Sequence, residues 1–362
     1  MNEFEIKQQR IRALLDQHQL DALLLQRVSS FAWATCGAAS YVNTATTFGG
    51  SSLLITRDTR YVIANNVETP RLEQEEKLAE QGWQIRATPW HAPNAIAELT
   101  RGMKLGADWG FPNAHDLTSE IARLRAHLTP EEGARFRTLG KICADAINAA
   151  IRALKPGMTE NEIAARLALE AQSRGAQPIV NLIATDERVF KFRHPLPTDK
   201  KLERYAMLVL CGRARGLVCS ITRLVHFGKL SDDLQNKMRA VARVDATFIA
   251  ATRPGQTLGA IFDRAKIAYA ETGFADEWQL HHQGGAAGYE SREYLGLPNS
   301  PDVVAIGQAF AWNPSITGTK SEDTILVGAR ENEIITAIKN WDALQIEIDG
   351  AIIARPAILE IK

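Results

Sequence analysis

The chain is short of most features that would assign it at a glance. Its four cysteines, Cys36, Cys143, Cys211 and Cys219, lie scattered through apolar segments. They have neither the paired spacing of a metal site nor the density of a disulfide scaffold. Neither sign of charge is in excess, since Lys plus Arg and Asp plus Glu both number 42. That balance gives no general attraction to nucleic acid or to an anionic membrane. No apolar run approaches the ~18 residues of a membrane-spanning helix. The start, Met1-Asn2-Glu3-Phe4-Glu5, lacks the basic-then-apolar order of a signal peptide. The glycines form no G-x-G-x-x-G, so dinucleotide binding has no support. The expectation is a soluble, reduced, cytoplasmic protein with no nucleic-acid or membrane partner.

What the chain does have is enough apolar residue for two cores. Of its 362 residues 45% are hydrophobic and 23% charged. Thr129-Pro130-Glu131-Glu132 reads as a strong helix start, with Thr as N-cap, Pro at the first helical position and Glu closing a capping box. Phe136, Leu139, Ile142, Cys143, Ala146, Ile147, Ala150, Ile151 and Leu154 then recur at helical spacing. Before this point helices and short strands alternate: a helix over 4–19, a strand at Ala22–Leu25, then Leu53–Ile55 and Tyr61–Ala64. The pattern predicts a mixed α/β domain over 1–128 and a second domain over 129–362.

The second domain repeats itself. Lys155-Pro156-Gly157-Met158-Thr159 leads an amphipathic run ending at Gly175, and Arg253-Pro254-Gly255-Gln256-Thr257 leads another ending at Gly273, an offset of 98. Self-similarity at a fixed period marks a duplicated structural unit. Each copy reads as helix, Pro-Gly turn, helix and antiparallel strands. Over the strands the offset becomes 102, matching Cys211 with Asn313, Ser220 with Glu322 and Thr222 with Thr324. Each copy thus offers a polar residue at one strand end and another early in the returning strand. Two similar units facing each other leave a cleft in which such residues converge.

Taken together, Pro156-Gly157-Met158-Thr159-Glu160, the run Ser220-Ile221-Thr222-Arg223 and the late Glu322-Asp323-Thr324 resemble the pita-bread family. Its members include methionine aminopeptidase, prolidase, aminopeptidase P and creatinase. The resemblance spans the chain and implies an α+β fold. A duplicated C-terminal pita-bread unit would follow a smaller N-terminal α/β domain of the creatinase/prolidase type. Homodimers are usual in the branches with that extra domain. Peptidases of the family bind two metal ions through Asp, Asp, His, Glu and Glu. The matching positions here are Cys211, Ser220, Gly285, Asn313 and Glu322. One carboxylate with an amide, a hydroxyl and a thiol is too poor a set for two hard divalent ions. The expectation is therefore no metal and no other cofactor.

The resemblance also implies roles for the residues that remain. His194 matches the leaving-group histidine of the peptidases, which metal-free creatinase uses as acid-base. His281 falls where a substrate-contacting histidine lies, and Arg292-Glu293 where a His-Glu or His-Asp pair lies. His194 and Glu322 are the catalytic candidates; His281, Arg292, Glu293, Cys211 and Asn313 are the substrate-binding ones. Glu322 has Arg223 as its usual hairpin partner by resemblance. Residues 284–288, Gly-Gly-Ala-Ala-Gly, promise a small-residue floor with room for a ligand. Trp312, Phe310 and Tyr289 offer either an apolar wall or core. The expected function is metal-independent, creatinase-type hydrolysis of a C–N bond in a small amidine, amide or amino-acid-like substrate. A non-catalytic binding protein and an Xaa-Pro peptidase are the alternatives.

Overall fold

The computed structural model describes all 362 residues. Two compact units divide the chain: Met1–Glu131 with Arg215–Leu217, and Glu132–Ala214 with Val218–Lys362. In the first unit a helix, Glu3–His18, opens with a complete capping box. The Asn2 side chain accepts from Glu5 N–H, and the Glu5 carboxylate accepts from Asn2 N–H. The helix is followed by a six-stranded mixed sheet whose central strand is Ala22–Arg27. That strand is flanked antiparallel by Phe48–Thr56 and parallel by Leu105–Ala107. Ala22, Leu24, Leu54, Ile63 and Leu105 close one core of this unit. Burying a Leu or Ile side chain in such a core stabilises by roughly 1.5–3 kcal/mol.

The second unit carries the duplication. Its helices Pro130–Arg152 and Asp232–Ala251 are the equivalent long ones; the first buries one apolar stripe, and the second is buried on all sides over 244–251. Glu160–Gln172 and Leu258–Glu271 follow them. Thr159 and Thr257 cap this second pair through their side-chain oxygens, and Glu162 completes a capping box at the first. Apart from two short hairpins, the strands form two sheets. One has four strands and includes Gln177–Thr185, Tyr205–Ala214 and Leu217–Phe227. The other has five and includes Gly284–Ala287, Ala309–Trp312 and Asp323–Leu326.

The two sheets meet along a seam with approximate two-fold symmetry. Thr222 N–H donates to Glu322 C=O at 3.2 Å. Ser220 N–H donates to Thr324 Oγ1 at 3.0 Å, and Thr324 Oγ1 donates back to Ser220 C=O at 2.8 Å. Ser220 and Glu322 are equivalent in the duplication, as are Thr222 and Thr324. Each therefore meets the copy of the other, as residues do around a dyad. The dyad brings both sets of polar strand residues to one place.

Trp312 and Phe310 turn out to be core. Trp312 stacks on Phe248 at 4.5 Å and on Phe310 at 5.6 Å, and its indole N–H donates to Thr252 Oγ1. Tyr289 is also buried, with its hydroxyl donating to Glu132 Oε1 at 2.6 Å.

Candidate active site

Beside the seam, wholly within the second unit, lies a cavity of about 460 Å3. Val180, Leu182, Val209 and Leu295 make its apolar wall. Its polar lining is His194, Cys211, His282, Ser291, Arg292, Asn313, Lys320 and Glu322. Of the residues singled out from the sequence, His194, Cys211, Arg292, Asn313 and Glu322 meet here. His281 stands directly behind His194. Glu293 is not among the lining residues, and its carboxylate accepts from Tyr289 N–H at 2.8 Å.

Glu322 is the electrostatic centre. It is 2% exposed, yet both carboxylate oxygens are paired with cations. Oε1 accepts from the Arg292 guanidinium at 2.9 Å, while Oε2 lies 2.8 Å from Lys320 Nζ and accepts from Thr222 Oγ1 at 2.5 Å. Burial alone pushes a carboxyl up, but Lys320 and Arg292 outweigh it and hold Glu322 down at about 2. Its expected partner, Arg223, is instead bound to Asp323 at 2.8 Å. The reason is strand geometry: adjacent residues point to opposite faces, so Glu322 faces the cavity and Asp323 the core. The same period of two placed Lys320 on the face of Glu322, a signal that the sequence carried and that residue-by-residue matching passed over.

The thiol of Cys211 lies 3.2 Å from Ser220 Oγ. Burial, reinforced by the charge of Glu322, pushes the thiol up to about 11, so it is no nucleophile near neutrality. Ser220 Oγ also accepts from Arg292 at 3.1 Å. Asn313 is buried and its Oδ1 has no partner.

Three histidines gather at the cavity mouth. His194 follows the short helix Glu187–Lys191, and His281 follows a 3-10 turn, Glu277–Leu280. An ion pair between Arg193 and Glu277 at 2.5 Å holds the two segments together, and Thr317 donates to the same carboxylate. The result sets His194 Nε2 3.1 Å from His281 Nε2. The His282 ring lies 4.5 Å from that of His281 and 5.6 Å from that of His194, between centroids. Burial, then the charge of Lys320, lowers His194 below its ordinary value, with Glu322 opposing. Burial takes His281 to about 2; partial burial, then the charge of Arg292, takes the more exposed His282 to about 4. His281 and His282 are neutral imidazoles across the physiological range. His282 was not singled out from the sequence; its adjacency to His281 was the available hint.

The five positions that correspond to the family's metal ligands do not fit a pair of divalent ions. The one carboxylate already has its charge offset by Lys320 and Arg292. The remaining donors are a thiol, a hydroxyl and an amide. Gly285, at the histidine position, has no room for any side chain: a Cβ there would meet Tyr294 O at 2.2 Å. Gly284 is equally closed, with Ala311 O 2.1 Å from its would-be Cβ. Gly284 and Gly285 therefore leave no room for a ligand beside them, contrary to expectation. Strands Tyr294–Leu295 and Ala309–Trp312 fill that space with backbone.

A duplicated unit with a seam-side cavity and an N-terminal α/β unit defines the pita-bread class. The chain belongs to metallopeptidase family M24, matching it over residues 134–337, and so to a family of hydrolases. An uncharacterized peptidase of Staphylococcus saprophyticus is 25% identical over 256 residues, which cover 67% of this chain and 72% of that protein. The prolidase of Pyrococcus horikoshii superposes with a TM-score of 0.79 at 20% identity, covering 92% of this chain and 98% of its own. The Xaa-Pro dipeptidase of Bacillus anthracis gives 0.79 at 20% identity, covering 99% and 100%. At these identities the structural likenesses concern the fold. No helix is long and apolar enough to cross a membrane.

Proposed function

We propose that the chain hydrolyses a C–N bond of a small amide-, amidine- or dipeptide-like substrate in this cavity, without the dinuclear metal pair of its relatives. The observation that carries this reading is the pairing of Glu322 with both Lys320 and Arg292, which sets two protein cations beside the reacting volume. Positive charge fixed in a partly dehydrated site stabilises the oxyanion that forms when water adds to a carbonyl carbon. His194, at the exposed mouth, removes a proton from that water and returns it to the leaving nitrogen as the C–N bond breaks. Glu322 acts as a positioning residue for Lys320 and Arg292. Its charge is already offset twice, so it is neither the catalytic group expected from the sequence nor a free seat for a cationic substrate. Val180, Leu182, Val209 and Leu295 accept the substrate's apolar part.

The fold likeness to prolidase and Xaa-Pro dipeptidase favours dipeptides as a substrate class and puts Xaa-Pro peptides in the first screen. That screen pairs them with N-acyl amino acids and with guanidino and amidino compounds, with and without chelator. The expected result is turnover that survives chelation and falls about 10²–10⁴-fold in His194→Ala. Dipeptide cleavage that requires added manganese overturns the metal-free reading. Silence across the panel, with no thermal shift by any compound, returns the chain to a binding role.

A further inference from the structure

Away from the five family positions, the three histidines at the cavity mouth make a donor set of their own. One ring nitrogen of each lies within 4.8 Å of those of the other two, and His194 Nε2 and His281 Nε2 face each other at 3.1 Å. We propose that His194, His281 and His282 form a seat for one transition-metal ion of the zinc, cobalt(II) or nickel(II) class, distinct from the carboxylate-held pair of the family.

Imidazole is the ligand these ions favour, whereas magnesium, calcium and manganese favour oxygen. Tetrahedral ligation at about 2.0–2.1 Å places neighbouring ligand nitrogens about 3.3 Å apart. One pair is already near that separation. The third ring closes by roughly 1.5 Å, within reach of side-chain rotation. An ion there replaces the His194–His281 hydrogen bond and leaves the His281 proton on Nδ1, which is buried without a protein partner, a cost that keeps the seat weak. The Arg193–Glu277 pair holds the two histidine-bearing segments in place. Three protein ligands leave a fourth position open, and His194 and His282 also line the cavity. The two positive charges of Lys320 and Arg292, only half offset by Glu322, weaken the seat and make its occupation reversible. An ion there engages the imidazole of His194, and so opposes the turnover proposed above. That consequence rests on the proposed function; the seat itself does not.

The test titrates the full chain, stripped with chelator and dialysed, with cobalt(II) alone. The expected result is saturation at one equivalent, with the visible absorption of tetrahedral nitrogen-ligated cobalt, displaced by zinc. His281→Ala and, separately, His282→Ala should lose that absorption and weaken binding by more than the roughly 10–100-fold typical of an outer-shell partner. His282 is exposed, so its variant keeps the fold, as circular dichroism would check. His115→Ala, which breaks the other close histidine pair, His18 with His115, should leave the titration unchanged. Absence of a saturable signal, or binding that persists in both cavity variants, overturns the seat. Zinc that binds there and accelerates hydrolysis upholds the seat but overturns the acid-base role of His194.

Discussion

Glu322 shows how one residue changes meaning with its surroundings. A buried carboxylate between Lys320 and Arg292 is a counter-ion, and its depressed proton affinity makes it a source of stability. Its folded value of about 2 lies below the ~4.3 of an unfolded glutamate. The contribution is therefore complete above about pH 4.3 and is lost as pH falls toward 2, with a size on the order of 3 kcal/mol. Denaturant titrations of the protein and of Glu322→Gln should show a stability gap at pH 7 that narrows across that window. A gap that stays constant removes the ion-pair account. Gly285 makes the complementary point. Gly285→His restores the family's residue type, but its side chain must displace the Tyr294 carbonyl. Overpacking of this kind typically costs about 1–3 kcal/mol. A lower melting temperature is expected, with no gain in manganese affinity; a tight new manganese site of unchanged stability would contradict it.

At the scale of elements, the seam and the C-terminal hairpin work together. The strands Ala343–Ile348 and Ala351–Pro356 pair antiparallel, and Ile348, with Ile346 and Ile353, packs on Ala246 and Ala250 of the helix Asp232–Ala251. From the second strand Arg355, fully buried, reaches Asp245 and Asp323, each at 2.6 Å. Arg223 holds the other oxygen of Asp323 at 2.8 Å, so two arginines and two aspartates tie hairpin, helix and seam together. Breaking a buried charge network by removing one partner typically costs about 3–5 kcal/mol, because the remaining charges stay desolvated. Arg355→Ala should lose about that much in chemical denaturation while leaving secondary structure intact. A loss below about 1 kcal/mol, the range of an exposed pair, would show that the network does little for stability. This segment lies beyond the family match, which ends at residue 337, and nothing in the sequence pattern assigned Arg355 to the core.

For the whole molecule we propose a homodimer, as the family resemblance implies. The N-terminal unit exposes Trp90, Val42 and the ring pair Phe48–Trp109, whose centroids are 4.7 Å apart. Light scattering should report about twice the 39.9 kDa chain mass; a monomer over a wide concentration range would contradict it. Much of the architecture was legible beforehand because it is written in local signals. Capping residues at Thr159 and Thr257, apolar spacing along the long helices and the Pro-Gly repeat all act within a few residues of themselves. The departures at Cys211, Ser220, Gly285 and Asn313 were visible too, since residue identity alone sets ligand chemistry. Which cations face Glu322, which carboxylate takes Arg223 and whether Gly285 leaves a hole depend on strand register and on residues far apart in the chain. Only the tertiary structure decides these, because Coulomb energy and steric exclusion act through space, and sequence separation bears on neither.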